Sequence, residues 1–251
     1  MRKQMTVGAA VLCALVAGPG RAETPVGEAL AAARAAYEAR AEPAQAKAAV
    51  ELFQTAATED PASYEARWEG ARAAYFYGTY TVPDAKDAEK MAIFDGGITL
   101  AKEAVTLSPK GVEGHFWLGV LYGVYGEAKG IFKSLSLVPV IKQEMQTCLE
   151  IDPSVEGWGP DRVLGRMYYK LPFFKGGDNE KSIAYLEKSL AGAPTNALTR
   201  LYLAETYRSE GKKANAVQQL QEILSVNPDP RWTAEHPWVR TQAEKLLKKL
   251  Q

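Results

Sequence analysis

Apolar residues along this chain recur at three- and four-residue spacing, in runs that each stop at a proline. The runs are "AVELFQTAATEDP", "ITLAKEAVTLSP", "IKQEMQTCLEIDP", "SIAYLEKSLAGAP" and "AVQQLQEILSVNP", and they end at Pro61, Pro109, Pro153, Pro194 and Pro228. Such spacing lines one face of a helix, and proline cannot continue a helix because it lacks the amide donor and its ring strikes the preceding turn. Five stops predict five similar units. A second pattern runs ahead of the later prolines with one spacing: Trp68, Ala71, Arg72, Tyr75; His115, Leu118, Gly119, Tyr122; Asp161, Leu164, Gly165, Tyr168; Arg200, Leu203, Ala204, Tyr207. A first, poorer unit has Ala49, Phe53, Ala56 and Pro61 in its second helix and an alanine-rich first helix near residues 25 to 41. After Pro228, "TAEHPWVRTQAEKLLKKLQ" predicts a terminal helix with a basic end, the solvated cap that a stack of repeats requires. No strand pattern or long polar linker interrupts these units. The expected fold is all-α: a superhelix of about five helix pairs with insertions plus a C-terminal capping helix, one domain over residues 23–251.

"GHFWLGVLYGVYG", residues 114 to 126, holds four glycines. Each weakens a helix by roughly 1 kcal/mol relative to alanine, so a helix here needs a reason to accept them. The repeated spacing supplies one, placing Gly119 where two helices press together. It resembles the tetratricopeptide repeat, whose first helix carries W-x2-L-G-x2-Y and whose second carries A-x3-F and then a proline. The distance from Tyr207 to Pro228 is 21 positions, the spacing of that family, with Gly211 at the turn and Ala216, Leu220 and Ile223 on the packing face. From Tyr168, Tyr122 and Tyr75 the distances are 26, 31 and 34. Those units carry insertions, at 76 to 92, 123 to 140 and 170 to 182, where an individual function has room to sit.

The stretches "GHFWLGVLYGVYGEAKG", "LEIDP" and "VLGRMYYKLPFFKGGDNEKSIAYLEKSL", with an apolar insertion between the first two, are similar to the T component of TRAP transporter systems. The same stretches resemble the helical-repeat domain of the regulator-of-microtubule-dynamics family. Both resemblances fall within about residues 60 to 228. The first implies a periplasmic helical-repeat protein that pairs with the solute-binding receptor of a secondary transporter for organic acids or other small solutes.

Composition fits a soluble globular protein: 251 residues, 47% hydrophobic and 24% charged. The first residues read differently. "MRKQM" is a positive n-region, "TVGAAVLCALVAG" an apolar stretch short for a membrane span, and "GRA" ends in a small residue suited to cleavage before Glu23. The segment is read as a secretory leader cut near Ala22, which predicts a periplasmic or secreted location, with retention as an anchor the alternative. Its removal takes Arg2, Lys3 and Arg21 and leaves 27 basic side chains against 30 acidic ones. No Lys/Arg stripe exists to track phosphates, so no nucleic-acid partner is expected. Cys148 then stands without a disulfide partner, in an apolar helical run that suits a small core residue.

Catalysis has little to work with. His115 occupies the repeat position usually held by tryptophan, which suits a packed structural histidine; His236 precedes a proline and is expected in a loop. No His/Cys/Asp/Glu cluster has metal spacing, and "GGD" at 176 to 178 lacks the strand and lysine of a phosphate cradle. No enzyme activity, metal or cofactor is expected. Binding fares better. Helix A of stacked repeats lines the concave face, which makes Phe76, Tyr77, Phe116, Val120, Val124, Arg162, Arg166 and Tyr169 the groove candidates. Arg162 and Arg166 lie four apart beside Tyr169 and suit a carboxylate, against the plainer alternative of a solvated or internally paired helix face. For "KGIFKSLSLVPVI" the order of readings is packing on a neighbouring repeat or within a homo-oligomer, then partner contact, then lipid, so membrane contact ranks last. The expected function is an exported scaffold that binds a protein partner, with the receptor of a TRAP-type system as the candidate. The alternatives are a carrier of an organic acid or apolar ligand and a general envelope-assembly protein.

Overall fold

The computed structural model describes residues 25–250, so the leader and its cleavage near Ala22 lie outside the described residues. Five helix pairs follow one another: α1 (Pro25–Glu38) with α2 (Pro43–Glu59), α3 (Tyr64–Phe76) with α4 (Asp87–Leu107), α5 (Val112–Lys129) with α6 (Val138–Ile151), α7 (Val155–Lys170) with α8 (Asn179–Gly192), and α9 (Ala197–Ser209) with α10 (Lys213–Ser225). A last helix, α11 (His236–Leu250), ends the stack. Every second helix ends two or three residues before its proline. Starts are set by side chains that take up a free amide of the first turn: Ser63 accepts from the Ala66 N–H at 3.1 Å, Asp178 from Lys181 at 2.9 Å and Asn196 from Thr199 at 2.9 Å.

Each of α3, α5 and α7 packs on its own partner and on the first helix of the next unit, and α9 packs on α11 as if α11 opened a sixth unit. This is a tetratricopeptide-like superhelix. Its largest core joins α3 to α7 around Phe116, Leu121, Met145 and Cys148; a second joins α8 to α11 around Leu186, Leu201, Leu203 and Leu220; a third joins α1 to α3 around Ala49 and Phe53. Full burial contributes about 1.5–3 kcal/mol for each large side chain among these. Burial pushes the Cys148 thiol up to about 12, the behaviour of an inert core residue.

Small residues sit at the helix crossings. A side chain at Gly119 would meet the Met145 methyl, and one at Gly165 would lie 2.6 Å from Leu186 Cγ and 3.0 Å from the Ser182 carbonyl. In the α3 unit the register differs by one residue from the expected one. Arg67, not Trp68, holds the first position, with Gly70 and Ala71 packed inward, so Trp68, Arg72 and Tyr75 turn to the concave side. The first position bears a polar group in all four units, and three of these tie the loop before the helix to the helix after it. Arg67 reaches Glu103 at 3.0 Å and the Asp60 and Ser63 carbonyls; His115 bonds Glu144 at 2.6 Å and the Pro109 carbonyl at 3.1 Å; Arg200 reaches Gln219 at 2.6 Å and the Pro194 carbonyl. Asp161 receives Lys188 at 3.0 Å.

Two local departures shape the interior. The chain after α3 makes a π-helical turn over Tyr77–Thr81, tight against Phe94 at Gly78, which swings Tyr80 inward. The start of α7 is a left-handed turn, with φ of 49° at Glu156, 64° at Gly157 and 52° at Trp158. Left-handed backbone costs a non-glycine residue roughly 1–2 kcal/mol. Here it aims three consecutive carbonyls at donors: those of Glu156 and Gly157 accept from Arg162, each at 3.1 Å, and that of Trp158 accepts from Ser189 at 2.9 Å.

The two ends of the stack meet. Arg40, just beyond α1, donates to the Arg231 carbonyl at 2.8 Å and pairs with Glu235 at 3.4 Å, and Tyr80 meets Trp238 edge to face with ring centroids 5.4 Å apart. His236 therefore belongs to the first turn of α11, half-buried beside this junction, and not to a free loop.

Candidate functional site

The concave faces of α3, α5, α7 and α9, together with the junction of the two ends, line a partly open chamber of about 740 Å³. Helix geometry populates it, since residues three and four apart share a face. α3 contributes Trp68, Arg72 and Tyr75, α5 contributes Phe116, Val120 and Val124, α7 contributes Arg162 and Arg166, and α9 contributes Tyr202. The junction adds Tyr37, Arg40, Trp232 and Glu235. Burial pushes the phenols of Tyr37, Tyr75, Tyr80 and Tyr202 above their ordinary range, so all four stay neutral hydrogen-bond donors.

The arginines differ in how their charge is met. Arg40 has Glu235, whose carboxyl is raised by its burial even though Arg40 opposes the shift. Burial works against the charge on Arg166, but neighbouring Tyr202, Glu205 and Glu127 outweigh it and raise its pKa. Arg72 is worse served. Its one carboxylate, Glu69, lies 3.9 Å away and is already gripped by Arg34 through bonds of 2.6 to 3.0 Å. The Arg72 guanidinium instead lies over the Tyr37 and Trp68 rings, 4.2 and 5.0 Å from their centroids, and its Nε has no hydrogen-bond partner among the described residues. Arg162 is only 8% exposed and bonds to the two backbone carbonyls of the left-handed turn, with no ion pair among the described residues. Trp117 Nε1 is a further buried donor of a chamber residue with no partner among the described residues. The wall is aromatic and carries two poorly matched arginine charges: Arg162 has no ion pair among the described residues, and Arg72 has only the 3.9 Å contact with a carboxylate already held by Arg34.

Of the eight groove candidates, the structure brings Phe116, Val120, Val124, Arg162 and Arg166 to this wall. Phe116 is almost wholly core, 1% exposed, and only its edge reaches the chamber. Phe76 is buried between Tyr37 and Tyr80, Tyr77 packs against the same N-terminal core, and Tyr169 lies outside the chamber beneath Arg166. The α3 residues were hidden by the one-residue register error, which assigned Trp68, Arg72 and Tyr75 to packing positions. Tyr202 had a usable signal, because it shares the repeat position of Trp117 and Val163, both of which line the chamber. Among the described residues, no three His, Cys, Asp or Glu side chains are placed to hold a metal ion.

The family model described as regulator of microtubule dynamics protein 1-3 matches residues 29–158, just over half of the chain. The chain belongs to this family. A tetratricopeptide repeat model matches residues 173–234 of this regulator of microtubule dynamics family member. The crystal structure of a thermophilic tetratricopeptide protein from Thermus thermophilus is similar, with a TM-score of 0.62 at 18% identity over 90% of this chain and 98% of that one. At that identity the likeness shows the shared fold. No curated protein sequence matches this family member. The family match covers the helices from α1 to the left-handed turn, and therefore the α3 and α5 faces of the chamber with Tyr37 and Arg40 of the junction, and it stops short of Arg162 and Arg166.

Proposed function

We propose that this protein is a non-enzymatic binding scaffold whose chamber receives an apolar guest bearing a carboxylate. Arg162 carries the reading. It is a buried guanidinium on an aromatic wall, bonded only to carbonyls, with Arg72 across the same cavity holding an unused donor. Burying an uncompensated charge is expensive, and a guest carboxylate that accepts a bidentate bond offsets that cost. Rigid helix pairs hold the wall in place beforehand, so little ordering entropy opposes binding.

The tetratricopeptide fold favours a protein partner that inserts a segment. The sequence resemblance to T components names an exported solute receptor as that partner, and export, periplasmic location and receptor pairing stand on the leader and the motifs quoted above. A second reading, a carrier of a free acid, is favoured by the junction of Arg40 with Glu235 and Arg231, because it turns an open trough into a chamber of the volume that small ligands occupy. Native mass spectrometry of the protein isolated from its own cells, combined with affinity capture, tests both. A retained or captured species with an acidic group, reduced at least tenfold in Arg72→Met without loss of thermal stability, is the expected result. A neutral or cationic guest, or occupancy indifferent to Arg72, overturns the proposal.

A further inference from the structure

Two insertions separated by about forty positions meet at one point of the surface. The turn Ile131–Leu137 follows α5 and the turn Phe173–Lys175 follows α7, and each raises phenylalanine into solvent: Phe132 is 67% exposed, Phe173 90% and Phe174 72%. Phe132 and Phe174 stack on each other with centroids 6.3 Å apart. Packing, the first-ranked reading of the "KGIFKSLSLVPVI" insertion, accounts for Leu135, Leu137 and Val138, which join the central core, but leaves Phe132 unexplained.

The charges next to the exposed rings of this tip in sequence are lysines: Lys129 and Lys133 around Phe132, and Lys175 after Phe174. The two turns themselves, Ile131–Leu137 and Phe173–Lys175, hold no acidic residue; the nearest acids, Glu127 and Asp178, are paired with Lys170 and Lys181. Lys129, Lys133 and Lys175 are exposed, and none forms an ion pair among the described residues.

We propose that this tip is a docking surface for an anionic lipid bilayer. The three rings seat in the interfacial layer while the lysines meet the headgroups, and like-charged lysines oppose the stacking of two copies through the same knob. No helix among the described residues is long and apolar enough to cross a membrane, so the contact is peripheral. Phe132, Phe173, Phe174 and the three lysines lie outside the chamber lining, while Ile131, Ser134 and Leu137 of the same turn face it.

Flotation of the full chain with vesicles of phosphatidylglycerol and phosphatidylcholine in equal parts, against phosphatidylcholine alone, tests it. The expected result is binding to the anionic vesicles that falls with added salt, and a tenfold or greater loss in both Phe132→Ser/Phe173→Ser/Phe174→Ser and Lys129→Glu/Lys133→Glu/Lys175→Glu. All six side chains are exposed, and an unchanged circular dichroism melt verifies that each variant is folded. Both variants keep the N-terminal apolar stretch, so the loss reports the tip. Binding that ignores lipid charge, or that survives both triple variants, overturns the proposal. So does a concentration-dependent dimer that the phenylalanine variant abolishes in the absence of vesicle binding, which would assign the tip to a second copy.

Discussion

Glu156 shows how a single residue carries strain for a neighbour. Its left-handed backbone, with φ of 49°, presents a carbonyl to Arg162 and costs about 1 kcal/mol or more that glycine would not incur. Glu156→Gly keeps that carbonyl and is expected to raise the urea midpoint by an amount equivalent to as much as about 1 kcal/mol. A fall of that size would show that the glutamate side chain, rather than the turn, is what the site needs. Glu235 offers a titration. Burial raises its folded pKa above the ordinary 4.5, so the folded state binds more protons than the unfolded chain between those two values. Its contribution to stability is fully present below 4.5 and is lost as pH rises through the folded pKa. The melting temperature of the wild type minus that of Glu235→Gln is therefore expected to decline across that window, and a flat difference would remove Glu235 as the coupled group.

At the level of helices, the crossings separate two glycines that look alike in sequence. Alanine at Gly165 would sit 3.0 Å from the Ser182 carbonyl and 2.6 Å from Leu186 Cγ, so backbone must move, and Gly165→Ala is expected to lose about 1–3 kcal/mol in urea unfolding. Alanine at Gly119 overlaps the Met145 methyl, the end of a flexible side chain, and sits 3.3 Å from Glu144 Cβ without meeting backbone, while gaining about 1 kcal/mol of helix propensity. Gly119→Ala is thus expected to change stability by less than about 1 kcal/mol, and equal losses at the two sites would show that the crossings are packed alike. Helix ends were legible because proline and the capping side chains act locally, within one turn. The register of α3 was not, since Trp68 and Arg67 are adjacent and both fit the spacing, and only the packing of Gly70 against Phe53 and Leu100 distinguishes them.

For the molecule as a whole, the junction of its two ends is what converts a trough into a chamber. Arg40→Ala leaves Glu235 buried without its partner, and about 3 kcal/mol of destabilisation is expected. Arg40→Met combined with Glu235→Gln removes both charges and recovers most of it, a cycle readable by chemical denaturation. Small-angle scattering is expected to show a larger radius of gyration for Arg40→Ala/Trp238→Ala, and an unchanged radius would mean the ends are held elsewhere. The number of helix pairs, their stops, the small residues at the α5, α7 and α9 crossings and the fate of Cys148 were all determined by the sequence alone, because each depends on neighbours within a few residues or on a repeated spacing. That Phe116, Val120, Val124, Arg162 and Arg166 share one wall also follows from that periodicity. Tertiary structure alone decided three things: that Arg40 meets Glu235 across 195 positions, that Arg162 is answered by carbonyls of a left-handed turn, and that Phe132 and Phe174 share one knob. Each joins segments that no local pattern links, and their meeting depends on the curvature that accumulates over successive helix pairs, which a sequence expresses only once it is folded.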